Sequence, residues 1–289
     1  MRRVTLCAPS RVYEDHPRGR FSCTSMVDYF ADMGIGAIDM SFESLSRLDE
    51  AWQSVLYSAA TRAKGKNISI PVCHLSFYMP DPFNDALMQE YSRELKKGID
   101  AARIMGIPLA VAHPIALYSS EHSYGDWVRA NMKFLQPIVE YARERGVKIC
   151  VENMPSDKQK EAAGNHLYGS CALNIAALAQ KLNCGICFDV GHANVSGYKM
   201  SEQLEILRGK LDVLHIHDNH GVRDEHLLPF DGSVDWQDVA DGIKKADFGG
   251  ILDVEVTAWA LPGDKATRDA FGGKIVARAK RLMKLADLI

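Results

Sequence analysis

Short apolar runs alternate with amphipathic stretches from one end of this 289-residue chain to the other. Residues 4–7 read as a first strand and 37–40 as a second. Between them a helical stripe through Met26, Tyr29, Phe30 and Met33 stops at Gly34. The unit then repeats. Trp52, Val55, Leu56 and Ala59 line a helix face before a strand at 68–75. Leu87, Tyr91, Leu95, Ala102 and Met105 line another, over 85–105, before a strand that Pro114 stops just after His113. Trp127, Phe134, Ile138 and Tyr141 precede the strand 147–152, and the helix 173–182 precedes 185–189. The shorter helical stretches 204–207 and 239–243 precede strands at 211–217 and 251–256, and 275–288 forms a closing helix. Eight strands alternating with about eight helices predict a single (β/α)8 TIM barrel over residues 1–289, with its active site at the C-terminal ends of the strands. A doubly wound open sheet is the alternative. No linker, composition shift, low-complexity tract or glycine-rich phosphate fingerprint divides or redirects the pattern.

Composition narrows the partners. The chain is 47% hydrophobic and 25% charged, ordinary for a globular protein, and its formal net charge of -3 offers no general attraction to a phosphate backbone. Nucleic acid is therefore disfavoured as a partner. No run is long and apolar enough for a signal peptide or a membrane span, so a cytoplasmic protein is expected. The seven cysteines are an odd set, several of them inside apolar runs, which fits buried free thiols in a reducing compartment. Cys184 and Cys187 have redox-pair spacing but sit in a strand-like run and not at a helix start.

The chemistry is concentrated where strands end. Successive side chains in a strand point to opposite faces, so His215 and His217 share one face, and Asp253, Glu255 and Thr257 share another. The same alternation turns Glu152 inward against Ile149 and Val151, while Asp189 and His192 bracket the end of the sixth strand. Taken alone, Glu152 could be held by an arginine or by backbone donors. Taken together, several carboxylates and imidazoles buried side by side are costly unless one cation compensates all of them, which points to a mixed oxygen and nitrogen site for a divalent ion. His74 and His113 read equally as core histidines or as ligands. His16, His122 and His166 lie in loop or helix-flank contexts that suit solvent exposure. His217, His220 and Asp218 are candidates for contacts to substrate or to the ligand residues, and Phe77, Tyr78 and Trp259 for an apolar wall.

The runs Glu152-Asn153, Asp189-Val190-Gly191-His192-Ala193-Asn194, His215-Ile216-His217-Asp218-Asn219 and Asp224-Glu225-His226, with Glu255, resemble the xylose isomerase-like barrel superfamily. That superfamily includes sugar isomerases and epimerases and the endonuclease IV enzymes. For the isomerase branch the resemblance implies that Glu152, Asp189, His215 and Glu255 bind one divalent ion (Mn, Mg, Co or Zn), with no organic cofactor. In epimerase members the two glutamates are also the acid/base pair, and His192, His217 and Asp218 would contact substrate. The expected activity is a metal-dependent isomerase or epimerase of a small-molecule sugar or polyol ketone, working by proton abstraction beside a carbonyl through a metal-stabilised enediolate. For the endonuclease IV branch the resemblance implies further ligands at His74, His113, His192, Asp224 and His226 and hydrolysis at abasic DNA. A non-catalytic metal- or sugar-binding protein is a third reading. Barrels of this kind often associate, so a homo-oligomer is in keeping with the resemblance.

Overall fold

The computed structural model describes residues 5–9, 23–42, 52–78, 80–256 and 265–289. The loop expected at residues 10–20, with His16, and the expected positions of Thr257 and Trp259 lie outside them. Within the described residues, β1 (Thr5–Pro9) leads to α1 (Cys23–Asp32), β2 (Ala37–Ser41), α2 (Trp52–Gly65), β3 (Ser69–His74) and α3 (Asp85–Met105). There follow β4 (Leu109–Ala112), α4 (Tyr124–Arg143), β5 (Lys148–Glu152), the short α5 (Lys158–Ala162), α6 (Ala172–Leu182) and β6 (Gly185–Asp189). After α7 (Val190–Val195) and α8 (Met200–Ile206) come β7 (Leu211–Ile216), α9 (Trp236–Lys245), β8 (Ile251–Val254) and α10 (Lys265–Leu285).

The strands pair in parallel in sequence order, and β8 returns to β1 through Thr5 opposite Ile251 and Cys7 opposite Asp253, closing the barrel. The ring has no free edge, and the open doubly wound sheet is set aside. Two apolar regions hold it together. Residues such as Ile38, Ile149, Val151, Phe188, Leu214 and Leu252 point outward and pack against the helices. Alternate positions, Cys7, Ala37, Val72, Val111, Cys150, Cys187 and Val213, fill the lumen with small side chains. Small inward residues let eight strands close tightly, and the next inward positions toward the C-terminal ends are the ionisable ones.

Helix ends are set by local chemistry. Asn84 caps α3 through Leu87 N, and Gly106 ends it at φ +73. Ser123 and Asp126 cap each other at the start of α4. Several strands stop short of the expected runs. β8 ends at Val254 and β7 at Ile216, leaving Glu255 and His217 just beyond the ladder. The helices α5 and α7 were not expected from periodicity, because five or six residues are too few to repeat a 3.6-residue stripe. The described cysteines Cys7, Cys73, Cys150, Cys171, Cys184 and Cys187 are free thiols. No described helix is long and apolar enough to cross a membrane.

Candidate functional site

Four strand ends converge. Glu152, Asp189, His215 and Glu255 each offer a ligand atom, and these atoms lie within 4.8 Å of one another. His215 Nδ1 is 2.8 Å from Glu152 Oε1 and 2.9 Å from Glu255 Oε2, with Asp189 Oδ2 at 3.9 Å. Asp189 is fixed by its own helix: its Oδ1 accepts from His192 N at 2.6 Å as the cap of α7. Its backbone is clamped by Asn153, which accepts from Asp189 N at 2.6 Å and donates to Asp189 O at 3.0 Å. Asp189 Oδ2 is buried and takes no hydrogen bond among the described residues.

The electrostatics ask for positive charge at this point. Burial alone would raise the Glu152 and Glu255 pKa values, but His215 and the neighbouring histidines hold both well below the carboxylate range. Burial likewise opposes charge on His215, yet Cys187, Glu152 and Glu255 push its pKa well up. Three buried carboxylates around one imidazole, with Asp189 Oδ2 left over, fit a divalent cation. Hard oxygen donors plus one imidazole suit Mg, Mn, Co or Zn, and a cation satisfies charge and the spare oxygen together.

Two further groups adjoin the first. His74 and His113 meet Glu152, with His113 Nε2 3.0 Å and His74 Nε2 3.6 Å from Glu152 Oε2. His192, His217, Asp224 and His226 form the other. Three of these imidazoles share a device: His74 Nδ1 faces Leu75 O at 2.9 Å, His192 Nδ1 faces Asn153 O at 2.7 Å and His226 Nδ1 faces Glu255 O at 2.9 Å. An Nδ1–H that donates to a backbone carbonyl fixes the ring, so each Nε2 is turned inward. Burial would lower the pKa of His226, but Asp224 and Glu255 raise it to about 9. Burial would raise that of Asp224, which His192, His226 and His217 hold well below its ordinary value. His113 stays neutral, its pKa lowered by burial against the pull of Glu152. His226 adopts φ +49, a left-handed conformation uncommon for a side-chain-bearing residue, which turns its ring into the site.

A cavity of about 260 Å³ opens above these groups. It is lined by the ionisable side chains His74, His113, His192, Asp224, His226 and Glu255 together with Phe77, Ala116, Tyr118, Met154, Pro155 and Leu167. Phe77 packs on His113 at 4.5 Å between ring centres.

Two expected substrate contacts are corrected. Asp218 is fully buried and both oxygens are taken: Oδ1 accepts from Asn219 N at 2.9 Å and Val234 N at 3.0 Å, and Oδ2 from Phe230 N at 3.0 Å and Trp236 Nε1 at 2.8 Å. It ties down the loop that carries Asp224 and His226, and it does not face the cavity. His217 is also fully buried, its ring lodged against Gly191, where a Cβ would overlap it, and stacked on His226 at 4.2 Å. Its Nε2 lies 3.0 Å from Asp189 Oδ1 and 3.4 Å from Asp224 Oδ1, so it bridges two clusters from beneath. His192, by contrast, lines the cavity, and Tyr78 faces a neighbouring one. His166 is exposed beside Glu161 and His220 beside Glu225. Sequence reasoning assigned no role to Asn153 or Gly191. The glycine between Val190 and His192 was a signal, since a glycine in a short turn marks a close approach. Asp253 lies below the site, its Oδ2 3.6 Å from His215 Nε2.

A family model described as xylose isomerase-like TIM barrel matches residues 27–272. An uncharacterized protein of Methanocaldococcus jannaschii is 29% identical over 208 residues, 68% of this chain and 67% of that protein. Among solved structures, a D-tagatose 3-epimerase-like protein superposes with TM-score 0.74 at 22% identity, covering 99% of this chain and 98% of its own. The IolI protein with a bound zinc atom gives TM-score 0.75 at 16% identity over 99% and 98%. At these identities the two structures establish the shared fold.

Proposed function

The chain belongs to the xylose isomerase-like TIM barrel family, and from that premise we propose that it is a divalent-cation-dependent isomerase or epimerase of a sugar or related polyol ketone. The observation that carries this reading is the pair Glu152 and Glu255, brought from β5 and the end of β8 to within 2.8 and 2.9 Å of the same His215 nitrogen. Glu255 also reaches the cavity.

Moving a hydrogen beside a carbonyl requires a base to remove a weakly acidic C–H proton and an acid to return one. Two carboxylates approaching from different strands serve both halves of that reaction. Glu255, at the cavity surface, takes the proton in one direction and Glu152 returns it in the other. In each direction one glutamate starts as the carboxylate that accepts the proton and the other as the carboxylic acid that donates one, so the pair exchanges roles when the reaction runs in reverse. Asp189 and His215 complete the cation seat, and Asn153 holds Asp189 in place. A divalent ion bound there supplies Lewis-acid polarisation of the carbonyl and the neighbouring hydroxyl. His192, fixed by Asn153 O at Nδ1 and by Asp224 Oδ2 at Nε2, lines the cavity and, together with Asp224, orients a substrate hydroxyl. The epimerase-like and zinc-bound proteins of the same fold support this reading by analogy.

A second reading is a multi-metal phosphodiesterase of the endonuclease IV type. The observation favouring it is the presence of the two extra clusters, His74–His113–Glu152 and His192–His217–Asp224–His226, which a one-cation reaction does not require. Elemental analysis and deuterium exchange separate the readings. One cation per chain and incorporation of solvent deuterium at a carbon of a ketose support the isomerase. Three tightly held zincs, no exchange and nicking of abasic duplex DNA support the nuclease. Glu152→Gln in cation-loaded protein removes exchange if the protein is an isomerase. A protein that binds ketoses equally well before and after the change, with no turnover in either form, is a binder.

A further inference from the structure

A second cavity, of about 280 Å³, adjoins the first, and the two share His113 and Ala116 as walls. Its composition is different. Tyr78, Tyr91, Phe134, Met88 and Ile115 line it together with three prolines, Pro80, Pro82 and Pro114. Tyr91 and Phe134 stack at 5.3 Å with 20° between planes, and Tyr78 meets Tyr91 edge-on at 5.9 Å. Tyr91 turns its hydroxyl away to Ser76 O. Asp81, the one carboxylate among the described lining residues, accepts from Phe83 N in its own loop. Tyr78 is half exposed, so the chamber opens to solvent and is not a sealed packing void.

The first cavity also has an apolar share of its lining, through Phe77, Ala116, Met154, Pro155 and Leu167, with the Tyr118 ring among them. A sugar carrying a hydroxyl on every carbon, or a phosphate at its far end, would meet few hydrogen-bond partners along this surface. An aromatic ring there would meet faces and edges of other rings in a chamber whose prolines already fix its shape, so little ordering is required.

We propose that this aromatic chamber is a subsite for an aryl-sized apolar end of the same molecule whose polar end lies over Glu255 and His192. The substrate is thus a small hydroxy-ketone bearing a hydrocarbon ring, its two ends meeting at His113 and Ala116, the residues the cavities share. The inference rests on the proposed reaction only for the polar end, and the aryl subsite is measurable without turnover.

The test uses cation-loaded full-length protein and three probes: D-fructose, its 6-O-benzyl ether and its 6-phosphate. Dissociation constants come from isothermal titration, and deuterium exchange is followed on the same samples. Burying a phenyl ring predicts that the benzyl ether binds about 10- to 100-fold more tightly than the parent, with the phosphate weakest. Ala116→Leu, which adds bulk at a residue lining both cavities, and Met88→Gln, a change of similar size on the chamber wall, each shrink that advantage to about twofold or less. Unchanged circular dichroism and melting in both variants keep the comparison one of binding. A benzyl ether that binds no better than fructose, or an advantage that survives both substitutions, overturns the proposal. Aryl-selective binding without exchange into any probe sinks the isomerase reading and leaves the subsite standing. Exchange without aryl selectivity does the reverse.

Discussion

Replacing Asp218 by Asn is the sharpest test of how the site is held. The carboxylate accepts four hydrogen bonds, two at each oxygen, from Asn219 N, Val234 N, Phe230 N and Trp236 Nε1. An asparagine of the same shape keeps one acceptor oxygen and turns its NH₂ toward two of those donors, whichever way the amide is flipped. Two buried donors lose their acceptor, each costing about 1–3 kcal/mol, for a total of about 2–6 kcal/mol. The cost falls on the β7–α9 loop, which closes over Asp218 so tightly that a Cβ at Gly232 would overlap its carboxylate. That loop carries Asp224 and His226 at the cavity. Asp218→Asn is therefore expected to lower the urea midpoint and to speed amide exchange over residues 219–235, with β1 to β4 unaffected. Affinity for a cation probe such as Co²⁺ should drop most at the cluster containing Asp224. A variant whose midpoint shifts by less than the equivalent of about 0.5 kcal/mol and whose loop exchange is unchanged would refute the assignment of Asp218 as the anchor.

Gly191→Ala forces a methyl into the His217 ring, which is fully buried and has no room to retreat, so a loss of about 1–3 kcal/mol is expected in urea denaturation. A wild-type midpoint would show that the ring can move. Chelation of bound cation removes solvent exchange into substrate and lowers the melting temperature, since a cation at about 100 times its Kd adds about 2.7 kcal/mol; scanning calorimetry with and without chelator checks this, and identical melts count against a cation seat. Burial would raise the Glu161 pKa, but Ser156, His166, the Leu167 amide and Tyr198 bring it below its ordinary value of 4.5. A carboxyl depressed in the folded state stabilises above the unfolded-state value and loses that contribution as pH falls through the folded one. Wild type should therefore lose more stability than Glu161→Gln on going from neutral pH to below about 4, as read from urea midpoints, and parallel losses would contradict the linkage.

Position along the chain dictated a good deal. Period-two alternation near Glu152, His215 and Glu255 fixes which side of a strand each occupies, and the alternation of runs and stripes predicts parallel strands whose C-terminal ends face one way, with closure decided by the β8–β1 pairing. A residue that points into the lumen at a strand end has only one place to go, so the grouping of Glu152, Asp189, His215 and Glu255 was legible before any coordinates. What His217 and Asp218 would pack against was not. His217 was assigned to a face by extending β7 one residue past Ile216, and in the folded chain its place is set by the absence of a side chain at Gly191. Asp218 looked like a free carboxylate because its four donors come from residues up to 18 positions away, which no local pattern connects.

The aromatic chamber belongs to the same class: Tyr91 and Phe134 read as stripe residues of two helices and Tyr78 as a candidate apolar wall, with nothing along the chain to join them. Periodicity is a one-dimensional quantity and encodes which face of an element is buried. Which loop donor meets which carboxylate, and which rings enclose a space, depends on how elements pack across the barrel mouth, and that was decided only when the eight strands closed.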